Sequence, residues 1–169
     1  MAVTLLEFDQ ACWHGDTVPV TAGDLPAYPA DWNGRKVIVF PDGSDEHAAV
    51  TLAVAMPQAF AGGALSFVLG ILTSATTGTF DVDIYVEAVT PGDAINLNTT
   101  TSFDSANASI TTVPGSTYVL MEITVSLSNT DGVAVGDMLR FLARRDSDDG
   151  ANDTASAEMG LLWAELREG

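Results

Sequence analysis

The densest run of charge in this 169-residue chain is RRDSDDGANDTASAE, from Arg144 to Glu158. Clustered carboxylates can hold a hard cation such as calcium or, as a pair facing across a cleft, act as acid and base. An EF-hand loop needs acidic ligands at positions 1, 3 and 5, glycine at 6 and glutamate at 12. Counted from Asp146, Asp148 falls at the third position, but Gly150, Ala151 and Ala157 occupy the fifth, sixth and twelfth, and the register fails. Asp146, Asp148, Asp149 and Asp153 remain weak candidates for an irregular calcium loop. The plainer reading is a solvated strand connection, in which Asp146 offsets Arg144 or Arg145 and Asp153-Thr154 turns the backbone. No metal or other cofactor is expected.

Other chemistry finds less support. Asp81, Asp83, Glu87 and Glu122 could supply a glycosidase pair, but they alternate with apolar residues and read as solvated outer faces of strands. Cys12, His14 and His47 are zinc-ligand types without the further cysteine a zinc set needs. No G-x-S-x-G and no G-x-x-x-x-G-K-[ST] occurs, so neither a nucleophile elbow nor a phosphate cradle is expected. Tyr85 and Tyr118 fall on the polar sides of their strands, where a sugar-stacking platform would place them. No catalytic residues are assigned.

The elements that must position these residues are strands. FDVDIYVEAV (80–89), TYVLMEITVSLS (117–128) and MLRFLARR (138–145) alternate with a period of two, and KVIVF (36–40) ends at a Pro-Asp-Gly turn. The uncharged run from Ala48 to Phe80 is long enough for a membrane span, but Pro57-Gln58 and Gly62-Gly63 break it. Val50, Leu52, Val54, Met56 and then Leu65, Phe67, Leu69, Ile71 alternate on either side, which predicts two buried strands. With a weaker strand near 108–113, about eight strands emerge and no spacer suits a crossover helix. The expected fold is all-β, an antiparallel β-sandwich, specifically an eight-stranded jelly roll.

The closing segment SAEMGLLWAELRE (156–168) is read as a strand, because Gly160 inside a helix would cost about 1 kcal/mol. As a strand it is apolar on both faces: Ala157, Met159, Leu161 and Trp163 oppose Leu162, Ala164 and Leu166. Two covering layers are then needed, the second being a partner subunit or the N-terminal segment. Residues 1–33 show little period beyond VTLLEF and are interrupted by Pro19, Pro26 and Pro29. They read as an extended N-terminal arm whose aromatic anchors pack on its own domain or a neighbouring subunit; residues 34–169 read as the sandwich domain. Trp13, Tyr28, Trp32, Met159, Leu161 and Trp163 are the expected interface residues.

Charge narrows the partners. With 23 acidic against 6 basic residues and a net charge of −17, the chain is ill suited to neutralising nucleic-acid phosphates or binding an anionic membrane. Cys12 is the only cysteine, so no internal disulfide can form. The N-terminus lacks a basic leader region, and no secretory signal is expected.

The stretches AMPQAFAGGALSFVLGI (55–71), GTFDVDIYVEAV (78–89) and VAVGDMLRFLARRDSDDGANDTASAEMGLLWAEL (133–166) resemble small β-sandwich proteins of tailed-phage virions, including capsid decoration proteins and fibre-like head domains. The resemblance implies a non-enzymatic virion structural protein on the outer surface of the capsid. There a homotrimer would cement the major capsid protein or other virion subunits. A tail or fibre position, or a receptor- or carbohydrate-binding sandwich, is the alternative. The chain departs from that pattern at its end, Leu166-Arg167-Glu168-Gly169, where the closing strand of such proteins often carries an aromatic.

Overall fold

The computed structural model describes residues 2–15, 25–43, 45–97 and 101–169. Its strands are β1 (Val3–Asp9), β2 (Trp13–Gly15), β3 (Leu25–Pro26), β4 (Tyr28–Trp32), β5 (Arg35–Phe40), β6 (His47–Thr51), β7 (Val54–Ala55), β8 (Leu65–Thr73), β9 (Thr79–Val89), β10 (Asn107–Thr112), β11 (Met121–Leu127), β12 (Met138–Arg145) and β13 (Met159–Glu168). A 3-10 turn, Gln10–Cys12, is capped by the Asp9 carboxylate, which accepts from the Ala11 N–H. The uncharged run resolves into β6, β7 and β8, and no helix among the described residues is long and apolar enough to cross a membrane.

Pairing identifies the architecture. β5 pairs with β13, β6 with β12, β8 with β11 and β9 with β10, all antiparallel, which is the nested pairing of one long hairpin. Rolling that hairpin brings β8 against β13 and β9 against β12. The result is one sheet in the order β11-β8-β13-β5-β4 and another in the order β10-β9-β12-β6-β2. This is the eight-stranded jelly roll, with β1 and the shorter β2, β3, β4 and β7 added to it.

The core lies between the sheets and is filled by the inward residues of each alternation. Phe67, Leu69 and Ile71 of β8 meet Val82 and Ile84 of β9, Phe141 of β12 and Ile123 of β11. Phe67 and Phe141 stack at 4.7 Å across the layer. Burying each such side chain is worth about 1.5–3 kcal/mol. The second apolar face of β13 has a simple cause. A bulge between Leu161 and Trp163 shifts the parity of the strand, so that Met159 and Leu161 point inward before it and Ala164 and Leu166 after it.

The N-terminal segment is extended where described and lies on its own domain. β1 pairs with the second half of β13, β2 with β6, and β4 forms a hairpin with β5 across Asn33-Gly34. Those turn residues have φ of 53° and 79°, the left-handed values of a type I′ hairpin turn. A division of the chain at residue 33 therefore falls inside a hairpin, and segment and sandwich share both sheets. Pro19 lies outside the described residues.

The outer face of the second sheet departs from the expected solvated pattern. Asp81, Asp83, Tyr85 and Glu87 are all buried. The chain beyond β9 returns along it: the Asp104 N–H donates to Val86 O, the Ser102 N–H donates to Glu87, and Phe103 and Ala106 pack on Ala48, Val50, Tyr85 and Leu142. Strict alternation marks which side a residue faces, and a loop then decides whether that side is wet.

Candidate functional site

On the outer face of the first sheet, side chains from distant parts of the sequence enclose a groove of about 650 Å³. The β4–β5 hairpin contributes Trp32, Asn33 and Arg35, β8 contributes Leu72, β13 contributes Leu162, and the connection before β11 contributes Tyr118 and Leu120. The rings of Trp32 and Tyr118 meet edge to face at 5.9 Å and 81°. That geometry suits aromatic quadrupoles.

Two backbone features hold these rings in place. Gly160 gives Trp32 its seat: a Cβ at that position would lie 2.4–2.9 Å from three atoms of the indole's six-membered ring. Only glycine lets the ring approach the sheet so closely. Tyr118 sits at φ 55°, a left-handed conformation rare for a bulky residue, fixed by its N–H donating to Thr73 O at 2.7 Å. Tyr118 as a residue is 59% exposed, and Val119 and Leu120 beside it are also exposed. Arg35 is exposed at the polar end, where Nη1 donates to Asn33 O at 3.4 Å. Among the described residues the lining contains no carboxylate, histidine, serine or cysteine. The groove suits a ligand with an apolar face and polar edges.

The sequence-derived candidates distribute as follows. Trp13, Met159 and Leu161 are buried in the chain's own core, so they offer nothing to a partner surface; the bulge in β13 separates Trp163 from the inward parity of the last two. Tyr28 is exposed and donates from its hydroxyl to Glu158 at 3.0 Å. Trp163 lies over Gly70, whose added Cβ would meet the indole at 2.1–2.6 Å, and it borders a smaller hollow with Glu7, Phe8 and Asp9. Trp32 alone of the six joins the groove. Tyr118 joins it as well, while Tyr85 is buried on the opposite sheet beneath the Arg144 guanidinium, 5.6 Å from its ring centre. No two-tyrosine platform exists.

The four aspartates of the charged connection do not converge on one point. Asp153 is tied to Arg145, and Asp149 caps its own turn through the Ala151 N–H and Asn152 Nδ2. Asp146 and Asp148 approach Glu46, the three offering oxygens within 4.8 Å of one another. The Arg144 guanidinium reaches Glu46, Asp146 and Asp83 and supplies their counter-charge. Burial and the neighbouring Asp148 carboxyl push the Asp146 pKa up. Arg145, expected beside solvent, is fully buried: it sits 4.7 Å over Phe80 and donates to the carbonyls of Ala155 and Ala157. Glu87, also expected in solvent, is buried against Arg140 at 2.5 Å. Burial opposes its charge, but that hydrogen bond and the Ser102 N–H outweigh it and lower the pKa. Cys12, His14 and His47 form no ligand cluster among the described residues; His47 is buried and its pKa is lowered by that burial.

Asn33, Arg35, Leu72 and Leu162 were not singled out by sequence. The available signal was glycine: Gly70 and Gly160 interrupt otherwise large apolar strands, and each marks a close approach by an indole.

No protein-family model matches the chain, and no curated protein matches it. Among solved structures, the chain is similar to the CBM22-1 xylan-binding domain of Paenibacillus barcinonensis Xyn10C, with 11% identity, a TM-score of 0.48 and coverage of 99% of this chain and 95% of that one. It is similar to the K1 cleaved adhesin domain of Lys-gingipain from Porphyromonas gingivalis W83, with 15% identity, a TM-score of 0.45 and coverage of 100% and 98%. A carbohydrate-binding module specific for non-crystalline cellulose, CBM28, shows 9% identity and a TM-score of 0.48 over 96% and 89%. Likenesses of this degree carry no ligand to this chain; the jelly roll is established by its own strand pairing.

Proposed function

We propose that the chain is a non-enzymatic saccharide-binding β-sandwich whose site is the Trp32–Tyr118 groove. The observation that carries this reading is the pair of aromatic rings, one seated on Gly160 and the other held outward by left-handed backbone, over an apolar floor with Asn33 and Arg35 at one end. A pyranose presents a C–H face and a hydroxyl rim, and such a surface matches an aromatic wall with polar groups at its edge. The alternative, a trimeric cement role, rests on the sequence resemblance; of its six interface residues Trp13, Met159 and Leu161 are inside, Trp32 and Trp163 are half-buried and Tyr28 is exposed.

The test is affinity electrophoresis and calorimetry with a panel of neutral and acidic polysaccharides. The wild-type chain is expected to bind at least one of them. Trp32→Ala and Tyr118→Ala should each weaken that binding by about tenfold or more, equivalent to 1.4 kcal/mol. Retention of full affinity in both variants, or no binding across the panel, would remove the reading.

A further inference from the structure

The six basic residues of this chain all lie within the described segments, and five of them are engaged with carboxylates. Lys36 meets Asp31 at 2.9 Å, Arg140 meets Glu87 at 2.5 Å, and Arg167 meets Glu165 at 2.7 Å. Arg144 is shared among Glu46, Asp83 and Asp146, and Arg145 is held by Asp153 at 2.8 Å. Arg35 is the exception: its one described side-chain hydrogen bond goes to a backbone carbonyl, and no carboxylate among the described residues reaches it. In a chain with 23 acidic residues, an arginine without an acidic partner is conspicuous. This one stands on the wall of the aromatic groove.

We propose that the saccharide taken by the groove is anionic, its carboxylate or sulfate received by the Arg35 guanidinium while a sugar ring lies against Trp32 and Tyr118. The proposal rests on the saccharide-binding reading above and adds the charge of the ligand. The bond to Asn33 O engages one guanidinium N–H and leaves the fork free to make two parallel hydrogen bonds to a planar carboxylate or to one edge of a sulfate. Among the described residues no carboxylate lines the groove, and the nearby Asp31 carboxylate is engaged by Lys36 at 2.9 Å and by the Gly34 N–H at 2.7 Å. The chain's net charge of −17 opposes approach of an anion from a distance, but screening at physiological salt confines that field to about 8 Å. Contact with Arg35 then decides between ligands that are otherwise alike.

The experiment measures the ratio of affinities for charged and uncharged forms of one backbone. Polygalacturonate is compared with its fully methyl-esterified form, and a sulfated galactan with its desulfated form, at one ionic strength. Wild type should prefer the anionic member of at least one pair by about tenfold or more; the pair that responds tells carboxylate from sulfate. Arg35→Gln, which keeps donors but loses the charge, should bring that ratio close to one, and Arg35→Lys should restore part of it. Arg35 is exposed, so neither variant threatens folding, and circular dichroism checks this. Equal affinity for both members of each pair, or a preference that survives Arg35→Gln, overturns the proposal while leaving the groove reading intact. Absence of binding to every polymer, or binding that is unchanged by Trp32→Ala, overturns both.

Discussion

Arg145 and Asp153 are joined by two parallel hydrogen bonds, Nε to Oδ2 and Nη2 to Oδ1, each 2.8 Å, with both side chains almost wholly removed from solvent. Arg145 follows Leu139, Phe141 and Ala143 on the inward parity of β12, so a charged residue closes the end of the apolar core. Asp153 makes that possible, and it fixes the connection to β13 in the process. Removing one member of a buried pair leaves the other charge uncompensated, at a cost of about 3–5 kcal/mol. Asp153→Ala should therefore lower stability by that amount in urea denaturation. Asp149→Ala, whose carboxylate only caps an exposed turn, should cost about 1 kcal/mol or less. Equal effects of the two would show that the pair does not hold the end of the core.

Asp81 carries the opposite imbalance. Its Oδ1 is buried without a hydrogen-bond partner. Burial, followed by the charges of Asp83, Asp146, Asp149 and Asp153, lifts its pKa from the ordinary aspartate range to about 6. Between those two values the folded chain holds a proton that the unfolded chain has released, so this group's contribution makes stability fall as pH rises through the window. Asp81→Asn removes the buried charge. At about pH 7.5 it should raise unfolding free energy by roughly 2 kcal/mol, and near pH 4 the gain should vanish. A difference independent of pH would refute the assignment.

These two aspartates show where sequence stops. Period-two alternation over 80–89, 121–127 and 138–145 places the core face of each strand correctly, whereas 117–120, read as part of the same strand with Val119 inward, lies outside it with Val119 exposed; nested strand pairing yields the jelly roll. The same alternation assigns Asp81, Asp83, Tyr85 and Glu87 to an outer face, and they are there, but covered. Coverage depends on where residues 101–106 return over Tyr85 and Glu87 and on how Arg144 and the connection after β12 meet Asp83 and Asp81, which are tertiary facts without local periodicity. The bulge at Leu161/Trp163 likewise has no sequence mark, so β13 reads as apolar on both faces. Trp32 and Tyr118 were both visible as unusual aromatics, yet 86 residues separate them by number, and only the sheet order β8-β13-β5-β4 brings them together.

Gly160 links that sheet to the groove. Gly160→Ala places a methyl group 2.4–2.9 Å from the far end of the Trp32 side chain, which can swing aside more cheaply than the sheet can move. Stability should fall by only about 1 kcal/mol, a melting shift of roughly 2–4 °C. Trp32 should become more solvent-exposed, with red-shifted fluorescence, and saccharide affinity should drop as far as in Trp32→Ala. Unchanged affinity with a displaced indole would dissociate the ring from binding.

Tyr118 offers the sharpest separation of folding from binding. A bulky residue at φ 55° carries about 1–2 kcal/mol of backbone strain, and Tyr118 is 59% exposed, so folding gains little in return. Tyr118→Gly relieves the strain but adds about 0.5–1 kcal/mol of unfolded-state entropy, leaving stability within about 1 kcal/mol of wild type. Tyr118→Ala keeps the strain and loses the contact with Trp32, so it should be the less stable of the two by about 1 kcal/mol. Both should lose saccharide binding to the same extent. Urea denaturation orders the stabilities and calorimetry reads the binding. If Tyr118→Gly proves more stable than Tyr118→Ala while neither binds, the left-handed tyrosine is maintained for the ligand. The reverse order would make it an ordinary part of the connection before β11.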